Sequence, residues 1–186
     1  MVFGVLLGGS GESRSADFQK GFDAFNKKDY VTALREWEPL AKLGHARAQN
    51  GVGLLYLFGN GVKTNLATAL EWIQKSASAG DPRGQNTLGM MYANGKGVSQ
   101  DNKTAVKWYK LAAEQGYANA QYFLGWMYQS GKGVPKDDKE AVKWYRLAAE
   151  QGNAFGQNAL GNMYDAGRGI PKDDKEAMKW YRLAAE

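Results

Sequence analysis

Apolar side chains in this chain recur at intervals of three and four residues, in short blocks separated by glycines. In one block Ala118, Ala120, Leu124, Met127 and Tyr128 share a helical face, and the next block carries Ala141, Trp144, Tyr145, Leu147, Ala148 and Ala149. Between them Gly131 and Gly133 suit a left-handed helix end and a tight turn, and Pro135 stops the first helix from continuing. Asp137 and Asp173, followed three residues later by Glu140 and Glu176, predict a second helix opened by an N-cap and a capping-box carboxylate. Asn65 and Asp101 take the same place. The unit is a helix hairpin.

That hairpin recurs every 36 residues, as Trp72, Trp108, Trp144 and Trp180 and again Gly44, Gly80, Gly116 and Gly152 show. A unit of this size cannot bury its own apolar face and must stack on its neighbours, so the period predicts an all-α solenoid. Residues 45–80, 81–116, 117–152 and 153–186 form four copies. Upstream, Phe18, Gly21, Phe22 and Phe25, then Tyr30, Ala33, Leu34 and Trp37, predict a starter pair over residues 17–44, with Pro39 kinking its second helix. Trp37 lies seven residues before Gly44 whereas Trp72 lies eight before Gly80, so the starter reads as one residue shorter. The expectation is one domain, 17–186, of about five antiparallel helix pairs. Gly53, Gly89, Gly125 and Gly161 sit inside the first helices, where glycine costs about 1 kcal/mol relative to alanine. Close approach of a neighbouring helix is the steric need that offsets it. The Trp144 indole is expected to be buried, contributing about 2–3 kcal/mol.

Residues 1–16 differ: Val2 to Leu7 are mostly apolar and Gly8 to Ser15 are rich in glycine and serine. No basic residue precedes the apolar run, and Arg14 stands where a cleavage site wants a small side chain. The segment reads as a leader remnant or an expression scar. It tilts the compartment toward the bacterial periplasm or secretion and leaves the cytoplasm open.

Hydrophobic residues make up 44% and charged ones 23%, an ordinary globular balance without a membrane-spanning run. The chain has no cysteine, which excludes disulfides, thiolate metal sites and thiol nucleophiles, and its single histidine is His45. No metal or other cofactor is expected. A net charge of +5 favours acidic partners only slightly.

The combination Ala-x-Ala-Gln, Leu-Gly-x-Met-Tyr, Gly-x-Gly-Val, Asp-x-x-x-Ala and Trp-Tyr-x-x-Ala-Ala-Glu-Gln-Gly resembles the Sel-one-like repeat family, relatives of the tetratricopeptide repeats. In one copy Ala118, Ala120, Gln121, Leu124, Gly125, Met127, Tyr128, Gly131, Gly133, Val134, Asp137, Ala141, Trp144, Ala148 and Gly152 carry the resemblance. It implies a right-handed α-solenoid acting as a scaffold or adaptor, as such repeats do in bacterial envelope signalling, secretion, host interaction and eukaryotic protein quality control. One cysteine-rich branch is linked to β-lactam binding or hydrolysis. A cell-envelope enzyme or cell-wall-binding protein of that branch is the alternative reading.

Residues that vary between copies mark where recognition can differ. Asn50, Leu54 and Leu57; Asn86, Met90 and Ala93; Tyr122, Trp126 and Gln129; and Asn158, Asn162 and Asp165 form a stripe along the first helices. One reading is a concave groove for a peptide or protein, with Tyr122 and Trp126 as anchors and the asparagines bonding peptide backbone. The other is that Leu54, Met90 and Trp126 are packed between neighbours.

A second, basic stripe comprises Lys103, Lys107, Lys110, Lys139, Lys143, Arg146, Lys175, Lys179 and Arg182. Lys110 with Glu114 and Arg146 with Glu150 are four apart, and aromatic residues are absent, so it reads as a solvated face rather than a specific nucleic-acid site. Gly-Lys-Gly at 95–97 and 131–133 and Gly-Arg-Gly at 167–169 read as turns, lacking the strand and spacing of a phosphate loop. No nucleophile with a base and no paired carboxylates appear, so the chain is not read as an enzyme. The repeated acids are caps, and His45 is an exposed helix-start residue. An apolar face around Trp180 and Leu183 in the last copy is expected to be bare, to be covered either by further repeats or by another molecule in self-association.

Overall fold

The computed structural model describes residues 17–186; the leader-like segment lies outside the described residues. Among these there are ten helices and no strand: α1 (Phe18–Asn26), α2 (Tyr30–Lys42), α3 (Ala46–Phe58), α4 (Leu66–Ser78), α5 (Pro82–Asn94), α6 (Asn102–Glu114), α7 (Ala118–Ser130), α8 (Asp138–Glu150), α9 (Ala154–Ala166) and α10 (Asp174–Ala184). Each packs on the next in chain order, and the first helices also touch across repeats, α3 on α5 and α7 on α9. The result is an all-α solenoid whose first helices crowd together on one side. Pro39 does not end α2, which runs unbroken to Lys42.

The hairpin turn follows from its glycines and caps. Gly131 (φ 67°) ends α7 in the left-handed region and Gly133 (φ 76°) turns the chain back. The Asp137 carboxylate accepts from the backbone N–H groups of Lys139 and Glu140, opening α8. Its own N–H donates 3.0 Å to the carbonyl of Tyr128, as Asn65 does to Tyr56, Asp101 to Tyr92 and Asp173 to Tyr164. The capping box expected from Glu140 and Glu176 is therefore not made. With the N-cap amide already taken, those carboxylates pair with Lys143 (3.5 Å) and Lys179 (3.2 Å).

The glycines inside the first helices do serve close approach, and three of the four, Gly89, Gly125 and Gly161, admit a tyrosine ring. A Cβ on Gly125 would lie 2.7 Å from Tyr145 Cδ1 and 3.2 Å from the Ala141 carbonyl oxygen. Gly89 meets Tyr109, Gly161 meets Tyr181 and Gly53 meets Ile73 in the same way. The deepest aromatics are thus Tyr109 and Tyr145, 2% and 1% exposed, while Trp108 and Trp144 are only half-buried. Desolvation pushes both phenols far above their ordinary pKa. This corrects the expectation for Trp144, whose ring is on the flank of the core.

It also corrects the register of the starter pair. Trp37 stands 36 residues before Ile73, so it is the counterpart of that residue and of Tyr109, Tyr145 and Tyr181, and the starter is not one residue short. Its indole lies against Gly21 and Gly51 and donates 3.1 Å to the Phe18 carbonyl. Glu36 fills the tryptophan position instead. It is buried, and the Lys20 ammonium at 2.7 Å holds its carboxyl below the usual carboxylate range against the opposing effect of desolvation.

Successive repeats are joined by a buried glutamine. Gln49, Gln85, Gln121 and Gln157 donate across the joint to the carbonyls of Ala41, Ala77, Ala113 and Ala149, at 3.1 to 3.4 Å. Gln85 and Gln121 also accept from Gln115 and Gln151, at 2.8 and 2.7 Å, so each ties three helices together. Gln49 lacks that third partner because Ala79 stands in its place, and Gln49 Oε1 is buried without a hydrogen bond. Ala79 already has the backbone of Gln115, φ −75° against −81°.

Ala79→Gln should complete the clamp and raise stability by about 0.5–1.5 kcal/mol in a urea titration, with no gain when Gln49 is changed to Leu. Gly125→Ala should lower it: overpacking against Tyr145 costs about 1–3 kcal/mol, more than the gain of about 1 kcal/mol in helix propensity. Because the Glu36 pKa is depressed on folding, its contribution is present above about pH 4.3 and is lost as pH falls further. Acid titration of Glu36→Gln should accordingly show a shallower loss of stability over that range than the parent chain.

Candidate functional site

The varied stripe descends from buried to open along the stack. On α3, Asn50 and Leu57 are buried and Leu54 half-buried; on α5, Asn86, Met90 and Ala93 are half-buried; on α7, so are Tyr122, Trp126 and Gln129; on α9, Asn158, Asn162 and Asp165 are exposed. Leu57 is thereby packed into the core with Ile73 and Leu88, out of a ligand's reach. Met90 spans two core clusters, as does Trp126, so part of the stripe is packing between neighbours.

Two clefts flank the α7 aromatics. One, of about 190 Å³, is lined by Tyr122, Trp126, Gln129, Asn158 and Asn162 together with Tyr145, Phe155 and Ala159. The other, of about 240 Å³, reaches from Ala93 past Tyr109, Phe123 and Trp126 to Lys132. Five of the stripe residues thus meet in one cleft. Asn50 and Leu54 line a separate pocket at the other end of the stack, and Asn86 and Met90 lie between.

The chemistry of the first cleft is an aromatic wall with amides along it. Tyr122 lies 5.1, 5.9 and 5.6 Å, ring to ring, from Phe123, Tyr145 and Phe155, and Phe155 is 68% exposed. Lys132 Nζ sits 4.5 Å over the Trp126 ring. The buried Tyr145 hydroxyl emerges here and donates 2.8 Å to Gln129 Oε1, while Gln129 Nε2 contacts Met163 Sδ at 3.3 Å. Tyr181 likewise donates 2.8 Å to Asn162 Oδ1, and Asn162 Nδ2 donates 3.2 Å to Asn158 Oδ1. Gln129 is therefore held by the core, whereas the amide N–H groups of Asn158 donate to no side chain or carbonyl among the described residues.

Phe155 was missed by pattern reading. It belongs to a row one helical turn before the stripe, Arg47, Arg83, Asn119 and Phe155, which the same copy-to-copy comparison reveals as varied. Asn119 in that row accepts 2.6 Å from Asn153 of the next repeat.

Away from the clefts the side chains take ordinary surface roles. Eight of the nine basic-stripe residues are exposed and Arg146 is half-buried; Lys110 lies 3.8 Å from Glu114. Arg146 differs from the expected pair with Glu150, donating instead 3.0 Å to the Tyr164 hydroxyl. The Gly-x-Gly segments are inter-helix turns with left-handed glycines. His45 is exposed and caps α3, its Nδ1 accepting 3.2 Å from the Ala48 N–H. Among the described residues no cluster of His, Asp or Glu could hold a metal, and no helix is long and apolar enough to cross a membrane.

The Sel1 repeat profile matches residues 46–81, 82–117, 118–153 and 154–186. The chain belongs to the Sel1 repeat family. A protective antigen of uropathogenic Escherichia coli strains that displays an SLR fold is 43% identical over 82% of this chain, with a TM-score of 0.77. This chain spans about a third (32%) of that protein's length. A Sel1 repeat protein from Oxalobacter formigenes is 32% identical over 90% of this chain and 68% of its own, with a TM-score of 0.80. A Klebsiella pneumoniae Sel1 repeat protein, 21% identical over 90% of this chain and 84% of its own with a TM-score of 0.65, shares the fold. No curated protein matches. Sel1 repeat proteins are generally protein-interaction scaffolds, mostly non-catalytic.

Gln129→Ala should strand the Tyr145 hydroxyl and cost about 1–3 kcal/mol in chemical denaturation, whereas Asn158→Ala should stay within about 0.5 kcal/mol of the parent Sel1 repeat chain.

Proposed function

We propose that this Sel1 repeat chain is a non-catalytic adaptor that holds an extended peptide segment of a partner protein along its first helices. The observation that carries the reading is the 190 Å³ cleft, where Tyr122, Trp126 and the exposed Phe155 face Asn158 and Asn162. Aromatic rings beside amide groups offer what an extended peptide presents, an apolar side chain alternating with backbone N–H and C=O. Half-buried aromatics held by neighbours are already ordered, so little side-chain entropy is lost when a partner covers them. Gln129 acts here as a positioning group under the cleft, and Asn50, Leu54, Asn86 and Met90 extend the track toward the other end. The domain in this reading runs from residue 17 to 186.

Self-association is a separate part of the proposal. Met178 and Leu183 on α10 are 55% and 37% exposed, whereas Trp180, expected to be bare there, is buried at 8%. That surface fits a second copy, and sedimentation velocity across a concentration series should show a dimer that Met178→Glu abolishes.

The groove is tested by selecting random peptides on display against the wild-type chain and against a Tyr122→Ala, Trp126→Ala variant of matched thermal unfolding. A shared motif enriched on the first and at least about tenfold weaker on the second supports the reading. Equal enrichment on both would defeat it.

A further inference from the structure

The groove has a second pole of different chemistry. At the N-terminal end of the stack, Phe22, Trp37 and Leu54 line a pocket of about 120 Å³ that also includes Asn50, Arg47 and Arg83. This is well below the roughly 300–1,000 Å³ of a small-molecule site, and it has room for one bulky side chain. Phe22 is exposed and Leu54 half-buried, so apolar surface remains open to a partner.

Asn50 makes the pocket more than an apolar dent. The residue is only 5% exposed, and its Oδ1 is buried with no hydrogen-bond partner. A buried acceptor without a donor is costly to keep, and a peptide N–H arriving with a ligand would satisfy it. At the pocket's edge stand two guanidinium groups with little to hold them. Arg83 is exposed and has no ion pair among the described residues. Arg47 approaches Asp81 Oδ2 only to 3.9 Å, while Asp81 Oδ1 is committed to the backbone N–H groups of Arg83 and Gly84 at the start of α5. Arg47 and Arg83 occupy equivalent positions in successive repeats, and their later counterparts are Asn119 and Phe155, so this positive charge is confined to one end of the track.

We infer that this pocket anchors an acidic peptide: one bulky apolar side chain enters it, and carboxylate side chains on neighbouring residues pair with Arg47 and Arg83. Because the two arginines lie on different helices, they meet carboxylates on either side of the anchor residue, each in a charge-assisted, two-pronged contact. The inference rests on the groove reading above and adds to it the partner's charge and its orientation relative to the aromatic pole.

The test uses the whole chain and capped peptides without terminal charges, read by the NMR resonances of the Asn50 side-chain amide. Acetyl-Gly-Asp-Leu-Glu-Gly-amide is compared with its Asn/Gln counterpart and with a version carrying Ala for Leu. The acidic leucine peptide should shift the Asn50 amide saturably and bind at least about tenfold more tightly than the neutral one. The alanine version should lose the effect. In an Arg47→Gln, Arg83→Gln variant of unchanged thermal unfolding, acidic and neutral peptides should come within about twofold of each other. Equal affinity in the parent chain, a preference that survives in the variant, no saturable shift up to about 10 mM, or acetyl-leucine with a free carboxylate matching the acidic probe would each overturn the inference. Display-selected peptides that shift the Trp126 indole but show no acidic preference at Asn50 would overturn the pocket alone and leave the groove. An absence of any display enrichment would remove the groove with it.

Discussion

The contact on which the stack depends is a backbone laid directly against a ring. Where Gly89, Gly125 and Gly161 carry no side chain, the tyrosine of the following helix lies in the gap, and the two helices of a hairpin come closer than any larger residue would allow. The glycine is poor for its own helix and good for the pair. Its cost of about 1 kcal/mol is exceeded by burying a tyrosine on a face that would otherwise be backbone in water. Because the same contact recurs at a fixed interval, the hairpins share one geometry and can be stacked without adjustment.

That packing ring is also how the core reaches the cleft beside α7. Tyr145 is buried along its length, yet its hydroxyl surfaces in the cleft and fixes Gln129, and Tyr181 does the same for Asn162. The cleft amides are therefore positioned by the residues that hold the hairpins closed. Of the residues that differ from copy to copy, Leu57, Met90 and Trp126 also pack between helices, whereas Asn158 and Phe155 are exposed. At such exposed positions a repeat can change its surface chemistry while its hairpin stays the same.

The hairpins, their turns and their number could be read from the chain because each depends on local rules: a three-and-four spacing, a left-handed glycine, an aspartate before a helix. What was harder to read depended on which of two adjacent residues faces inward. Trp144 and Tyr145 both look like core by composition, and only the gap at Gly125 decides for the tyrosine. The same ambiguity displaced Trp37 by one position. Glu140 follows Asp137 at capping-box spacing, but the distant Tyr128 carbonyl takes the amide that the box needs. At the cleft, Tyr122 and Trp126 were legible as varied aromatics, whereas Gln129 looks like a ligand-facing amide until its bond to Tyr145 is seen. Arg47, Arg83 and Phe155 vary between copies in the same way, one helical turn upstream of the stripe.

Buried polar atoms left without partners are unevenly distributed. Of the six among the described residues, Gln49 Oε1, Asn50 Oδ1, Ser76 Oγ and Asn86 Oδ1 all fall within residues 49–86, and Trp144 and Trp180 supply the other two. In a solenoid, where each unit is supported only by those beside it, such defects are felt locally rather than averaged over the whole molecule. The four within residues 49–86 lie at the α2–α3 and α4–α5 joints, whereas the α6–α7 joint closed by Gln121 has none, so amide exchange through small openings is expected around the first two joints. The end of the stack around Asn50 is thus expected to be the softer one, and the cleft beside α7 the stiffer.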